Sequence, residues 1–160
     1  MILYFLRHGD AGSARTSDDD ARPLTDAGVA ALRAAGPLWR RLNLRPDVVI
    51  SSPLPRALRT AELFCEAVGG QPTTDDRLRP GAGWGELARA MTQHPDARRV
   101  LFVGHEPDLS SALAELTGAA SVRMRKGSLA CVEFYGTPEP GGGEIAWLLD
   151  PDLYIESTGA

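Results

Sequence analysis

The stretch LYFLRHGD, residues 3–10, sets a continuously apolar run directly against Arg7 and His8. A short apolar run rich in β-forming residues is typical of a strand buried on both faces, as strands of parallel sheets are. Gly9 follows, so the backbone can be approached closely without a side chain in the way. Two interpretations of this strand end are open: a loop that turns into solvent, or a site that holds and attacks a phosphate.

The rest of the chain alternates apolar runs with amphipathic segments. Apolar runs at residues 47–50 and 99–103 predict two more buried strands, and two strand-like runs follow at 129–135 and 145–149. Capping residues and helical periodicity predict helices over about residues 25–42, 55–68, 84–93 and 107–116. Turns and loops are expected at residues 9–23, 70–83 and 136–144, which carry many Gly, Pro and polar residues.

This alternation predicts an α/β fold. We expect a three-layer sandwich in which a mainly parallel central sheet has helices on both faces and is completed by antiparallel C-terminal strands. No repeat or linker divides the sequence, so a single domain is predicted over residues 1–160.

Composition and charge narrow the class of protein. The 160 residues are 43% hydrophobic and 24% charged, which is typical of a globular domain. The formal net charge of −4 argues against nucleic-acid binding as the main function. No apolar segment has the length of a membrane span or signal peptide, so a cytoplasmic location is expected. Cys65 and Cys131 lie within apolar patterns and are expected to be buried free thiols.

The most informative residues follow the first three predicted strands. The first strand ends in Arg7-His8-Gly9, the second is followed by SSPLPR, residues 51–56, and the third by GHEP, residues 104–107. In an open α/β sheet, ligands bind at the carboxyl ends of parallel strands. The topology therefore predicts that His8, His105, Arg7 and Arg56 surround one crevice.

These residue types suit phosphoryl transfer. Arg7 and Arg56 offer planar forks of donors that match phosphoryl oxygens. A neutral His8 imidazole can attack phosphorus, and neighbouring arginines disfavour its protonation. His105 can donate to the transferring oxygens, although taken alone it could also be a buried structural histidine. No metal and no cofactor are predicted.

The motifs LRHGD, SSPLPRALRTAEL and VGHEPDLS resemble those of the histidine phosphatase superfamily, and RPLTDAG at residues 22–28 makes the chain similar to its SixA-type phosphohistidine phosphatases. The resemblance extends over nearly the whole chain and implies a phosphoglycerate mutase-like fold. It also implies that His8 becomes transiently phosphorylated. The residues it assigns to phosphate or substrate binding are Arg7, Gly9, Arg56 and His105, with Arg22 either contacting substrate or ordering its loop.

One departure from the family pattern bears on the substrate. Where larger members such as the phosphoglycerate mutases have a catalytic acid, this sequence has Leu78-Arg79-Pro80. Phosphohistidine leaves across a labile P–N bond and needs less protonation than an alkoxide, so the missing acid favours a phosphohistidine-bearing protein, such as a signalling or phosphotransfer domain, as partner. Asp10 or Glu106 could still serve as the acid.

Two other functions remain open from the sequence. One is hydrolysis of small phosphoesters such as sugar phosphates, and the other is phosphate binding without catalysis. The acidic run at residues 18–20 has no matching ligand set, so we expect it to be solvated rather than to bind a metal.

Overall fold

The computed structural model describes residues 1–13 and 18–155, and the predicted loop residues 14–17 lie outside them. The strands are β1 (Ile2–Arg7), β2 (Val48–Ser51), β3 (Pro72–Thr74), β4 (Arg99–Gly104), β5 (Leu129–Glu133) and β6 (Glu144–Leu149). The helices are α1 (Asp26–Arg41), α2 (Pro55–Val68), α3 (Trp84–Met91), α4 (Asp108–Thr117) and α5 (Asp152–Ile155), with a 3₁₀ turn at Asp76–Leu78.

The six strands form one sheet in the order β3-β2-β4-β1-β5-β6. β3, β2, β4 and β1 pair in parallel, whereas β5 is antiparallel to β1 and β6 is antiparallel to β5. The prediction of a mainly parallel sheet completed by antiparallel C-terminal strands is confirmed. β1 and β4 lie in the centre, so the loops that follow them meet in the middle of one sheet edge.

Side chains alternate between the two faces of β1 and build two cores. Leu3 and Phe5 pack with residues of α3 and α4 on one face, while Tyr4 and Leu6 pack with residues of α1 and α2 on the other. Helices therefore cover both faces, as the three-layer prediction requires. The free thiols of Cys65 and Cys131 are buried, and burial raises the pKa of each to about 11.

The structure differs from the predicted elements in two short segments. Residues 70–83 were expected to be turns, but Pro72–Thr74 form β3, a three-residue strand that pairs with β2. Proline lacks an amide proton and is tolerated in such an edge strand, so the local pattern resembles a turn. The helix Asp152–Ile155 was not predicted, because four residues carry no helical periodicity.

Within residues 1–13 and 18–155, no helix is both long and apolar enough to cross a membrane. The single domain over residues 1–160 stays a prediction, since it includes residues 14–17 and 156–160, which lie outside the described part.

Candidate active site

The loops after β1, β2 and β4 converge at one edge of the sheet. Arg7 lies beside Gly104 in the β1–β4 register, and the amide of His8 donates to the carbonyl of Gly104 over 3.1 Å. The rings of His8 and His105 consequently lie with their centroids 5.3 Å apart. Arg56, in the first turn of α2, is buried close enough to both rings to lower their pKa values. The four residues predicted to surround one crevice do lie together.

His8 is buried and has a defined orientation. Its Nδ1 lies 2.7 Å from the carbonyl oxygen of Gly9. A carbonyl only accepts, so Nδ1 carries the proton in the neutral ring and Nε2 keeps its lone pair. Burial lowers the pKa of His8 to about 4, and the charges of Arg56 and Arg7 add to the shift. The sequence analysis explains the neutral form of His8 by the neighbouring arginines, whereas in the structure burial is the larger cause. His8 has the form of a nucleophile.

The backbone that orients His8 is fixed from behind by α2. The amide of Gly9 donates to Oγ1 of the buried Thr60 over 3.1 Å, and this hydroxyl in turn donates to the carbonyl of Arg56. A Cβ at Gly9 would lie 2.7 Å from a methyl carbon of Leu32. The glycine therefore allows α1 to pack against this loop. Thr60 belongs to the quoted RALRTAEL motif, but its contact with Gly9 was not predicted.

Both site arginines keep part of their donor capacity unused by the described residues. Arg7 donates from Nη1 to the carbonyl of Met124 over 2.8 Å, and Arg56 donates from Nη1 to the carbonyl of Asp19 over 2.8 Å. The buried Nε atoms of Arg7 and Arg56 have no hydrogen-bond partner among the described residues. Buried donors without a partner are costly, and an anion bound between the arginines would relieve that cost.

Asp19 connects Arg22 with Arg56. Its Oδ1 lies 2.8 Å from both Nε and Nη2 of Arg22, and its Oδ2 lies 3.4 Å from Nη2 of Arg56. Arg22 also donates to the carbonyls of Ala11 and Gly12, so in this structure it holds its loop together. The Asp19 side chain is 46% exposed, in line with the expected contact with solvent, but it also forms ion pairs with two arginines, which the sequence did not predict. The local acidic run gives no signal for this, because Arg56 comes from another element.

His105 is buried and contacts a serine from the neighbouring loop. Its Nε2 lies 2.8 Å from Oγ of Ser52, while Nδ1 is buried without a hydrogen-bond partner in the described part of the chain. Burial, and to a smaller extent His8 and Arg56, lower its pKa to about 3. His105 is therefore a neutral ring in which one nitrogen has no partner among residues 1–13 and 18–155.

The two carboxylates considered as acids both accept hydrogen bonds. Asp10 contacts Nζ of Lys126 at 2.6 Å and the Thr25 hydroxyl at 2.8 Å, and these bonds lower its pKa to about 2. Oε1 of Glu106 accepts from the amide of Ser110 over 3.0 Å, at the start of α4. Asp10 is thus an ionised structural carboxylate at neutral pH, whereas Glu106 serves as an acceptor for a helix amide.

The segment that lacks the family's acid is exposed at Pro80 and is tied to α4. The amides of Gly81 and Ala82 donate to Oδ2 of Asp108 over 2.8 and 3.2 Å, which holds this turn beside the His105 loop. Among the described residues, no group of three or more His, Cys, Asp and Glu side chains could hold a metal ion.

The same residues carry a family pattern. A model of the histidine phosphatase superfamily, branch 1, matches residues 3–86, more than half of the chain. The chain belongs to this superfamily.

Two relatives of the chain illustrate how far the sequence similarity extends. The chain is 37% identical over 114 residues to an uncharacterized protein of Picosynechococcus, covering 68% of each. It is 35% identical over 68 residues to the 2,3-bisphosphoglycerate-dependent phosphoglycerate mutase of Bifidobacterium longum, but this match covers only 41% of the chain and 28% of the mutase.

Solved histidine phosphatases share the fold over most of their length. A candidate phosphohistidine phosphatase SixA of Nakamurella multipartitia is 30% identical, with a TM-score of 0.77 over 94% of this chain and 95% of that one. The protein histidine phosphatase SixA complexed with tungstate gives a TM-score of 0.82 at 24% identity, over 96% and 99% of the two chains. The protein is an enzyme of the histidine phosphatase superfamily with the SixA-type, phosphoglycerate mutase-like fold.

Proposed function

We propose that this histidine phosphatase hydrolyses phosphohistidine on a partner protein through a phosphorylated His8. The observation that carries the nucleophile assignment is the neutral His8 ring, whose Nδ1 proton is held by the carbonyl of Gly9, so that Nε2 keeps its lone pair. The charges of Arg56 and Arg7 lie close enough to this ring to lower its pKa. The superfamily match and the fold shared with SixA proteins support it.

In the first step, Nε2 of His8 forms a bond to the phosphorus of the substrate phosphohistidine. The substrate P–N bond breaks, and its electron pair returns to the leaving imidazole nitrogen, which takes a proton from water. Arg7 and Arg56 stabilise the charge on the phosphoryl oxygens, and charge stabilisation with positioning dominates the catalysis of such transfers.

In the second step, water attacks the phosphorus of phosphorylated His8. The P–Nε2 bond breaks and His8 regains its lone pair, while the oxygen of the attacking water becomes the fourth oxygen of the inorganic phosphate. One proton of this water leaves with the phosphate, and the other neutralises the hydroxide formed when the leaving imidazole took its proton. The hydrogen bond between Nδ1 and Gly9 persists through both steps, so the ring keeps its orientation.

The carboxylates around the site support this substrate class. Asp10 is held ionised by Lys126, and Asp108 accepts two backbone amides. Protonating an alkoxide by a positioned acid contributes roughly 10²–10⁴-fold to a rate. A leaving imidazole needs much less protonation by an acid. Phosphohistidine therefore suits a site in which the neighbouring carboxylates accept hydrogen bonds and are not positioned as proton donors.

The second candidate is a phosphatase of small phosphoesters with Glu106 as the acid. Glu106 adjoins His105 in the chain, lies close enough to Arg7 to influence its pKa, and engages Oε1 with Ser110. This candidate predicts fast hydrolysis of alkyl phosphates and a strong loss on Glu106→Gln.

A leaving-group series separates the two candidates. The measurement is kcat/KM for aryl and alkyl phosphates of increasing leaving-group pKa, with a phosphohistidine-bearing protein alongside. We expect a steep fall in rate as the leaving group becomes more basic, rapid turnover of phosphohistidine, and little effect of Glu106→Gln on either.

A shallow dependence with fast sugar-phosphate hydrolysis, abolished by Glu106→Gln, would instead assign the small-ester function. Binding of phosphate without turnover of any substrate would leave the third candidate, a binding domain.

A further inference from the structure

We propose that Ser52 is a positioning residue that fixes the tautomer of His105, so that its Nδ1–H donates to the transferring phosphoryl group. The inference rests on the proposed function, because it assumes that His105 binds the phosphoryl oxygens. Ser52 belongs to the SSPLPR segment, residues 51–56, but the sequence analysis predicts no role for it.

Ser52 lies at the end of β2 and is held rigidly. Its side chain is completely buried, and its amide donates to the carbonyl of Val103 on β4 over 2.9 Å. Its Oγ lies 2.8 Å from Nε2 of His105 and 3.3 Å from the amide nitrogen of Leu54. These are the contacts of the hydroxyl within the described residues.

The donor count at this hydroxyl selects one arrangement. Since an amide only donates, Oγ accepts from Leu54. If Nε2 of His105 also donated, the hydroxyl proton of Ser52 would have no acceptor among the described residues. If the hydroxyl of Ser52 instead donates to Nε2, it accepts one hydrogen bond from Leu54 and donates one to His105, so its proton has an acceptor. The latter arrangement leaves no buried hydroxyl proton unsatisfied, which is the strong preference in proteins.

A hydroxyl that donates to Nε2 places the ring proton of neutral His105 on Nδ1. This is the buried nitrogen that has no partner in the described structure. An N–H at this position complements an anionic phosphoryl oxygen, whereas the other tautomer would present a lone pair to it. The low pKa of His105, about 3, keeps the ring neutral. The tautomer therefore decides whether Nδ1 presents a proton or a lone pair to the phosphoryl oxygen.

Ser51 supplies a matched control. Its side chain is also completely buried, and its hydroxyl donates to the carbonyl of Ser52 over 2.8 Å rather than to His105. Ser51→Ala therefore removes a buried hydroxyl from the same segment without removing the contact with Nε2.

The direct test is the tautomer of His105, read from ¹⁵N chemical shifts of histidine-labelled protein at neutral pH. In the wild type we expect Nδ1 to be protonated and Nε2 to be unprotonated. Ser52→Ala should populate the opposite tautomer, and Ser51→Ala should not. A wild-type His105 protonated at Nε2 overturns the proposal without touching the phosphatase assignment, because the measurement needs no substrate.

The functional test is a double-mutant cycle between Ser52→Ala and His105→Ala, with orthovanadate affinity and kcat for p-nitrophenyl phosphate as readouts. Ser52→Ala should lower kcat about 10–100-fold, below the about 10²–10³-fold loss typical of deleting a charge-stabilising donor. It should add almost nothing to His105→Ala. Additive losses would show that Ser52 only supports the fold and would overturn the proposal.

If Ser52→Ala does not fold, Ser52→Cys, whose thiol is a weak donor, replaces it in both tests. A wild type that binds orthovanadate and shows the expected tautomer, yet leaves phosphohistidine intact, would refute the proposed function alone.

Discussion

Acidification is the perturbation that separates a buried nucleophile from an ordinary surface histidine. Burial, and then the charges of Arg56 and Arg7, lower the pKa of His8 from 6.5 to about 4. At pH 5 a histidine with the ordinary value is only about 3% neutral, whereas one with a pKa near 4 is about 90% neutral. The fraction of reactive His8 at pH 5 is therefore expected to be roughly 30-fold larger than for an unperturbed histidine.

The assay is a direct titration of His8 by NMR, together with the acid limb of kcat/KM, measured from about pH 3 to pH 8 so that the range extends below the expected midpoint. The chain has only three histidines, so a His94→Gln variant leaves just the two site rings in the spectrum. We expect the His8 ring to become protonated with a midpoint near pH 4, and kcat/KM to fall with the same midpoint. A His8 signal that titrates near pH 6.5 would refute the reasoning, because burial would then not control the nucleophile.

The same shift predicts how stability depends on pH. The pKa of His8 is lower in the folded state, so between about pH 4 and 6.5 the unfolded chain binds more protons and the free energy of unfolding rises with pH. The contribution is fully present above pH 6.5 and is lost as the pH falls toward 4, amounting to roughly 3 kcal/mol for His8. Urea unfolding at pH 7 and pH 4.5 should show a larger loss for wild type than for His8→Ala.

Four further outcomes follow from the site and its packing. His8→Ala should abolish turnover and the acid-labile, base-stable phosphoryl adduct trapped from labelled substrate, while cooperative thermal unfolding is retained. Arg7→Ala and Arg56→Ala should each weaken phosphate binding by roughly 1.5–3 kcal/mol in titration calorimetry, and an unchanged affinity would place that arginine outside the pocket. Gly28→Ala should destabilise the fold by about 2 kcal/mol or more in urea unfolding, since its Cβ would clash with the backbone oxygen of Asp10. Gly85→Ala, whose Cβ would have no atom of the described residues within 4 Å, should be neutral or slightly stabilising. Activity should survive a strong chelator, because guanidinium groups take the place of a metal, and a chelator-sensitive rate would count against that role.

The site residues that lie at the ends of strands could be predicted from the sequence. Arg7, His8 and His105 are set by apolar runs that stop at chemically distinctive residues, and parallel pairing of β1 with β4 brings them together. Periodicity and turn residues likewise predicted the helices that cover both sheet faces. These features depend on local patterns and on one topological rule, which a single sequence contains.

The contacts that refine the site were missed because they join distant elements. Asp19 forms ion pairs with Arg22, which is three residues away, but also with Arg56, which is 37 residues away. An acidic run on a loop has the same local pattern whether it is solvated or paired across the fold. The requirement for glycine at position 28 is equally invisible locally, since the obstructing atom belongs to Asp10.

The buried hydroxyl of Thr60 in α2 supports both the nucleophile His8 and the phosphate-binding residue Arg56. Thr60 accepts from the amide of Gly9, whose carbonyl in turn holds Nδ1 of His8, and it donates to the carbonyl of Arg56 one turn earlier in α2. The nucleophile and a phosphate-binding guanidinium therefore share a single support. Phosphoryl transfer depends mainly on positioning and charge, and this shared support holds the attacking nitrogen and the guanidinium in fixed positions relative to each other. A change in the position of α2 would then alter nucleophilic attack and phosphate binding together rather than separately.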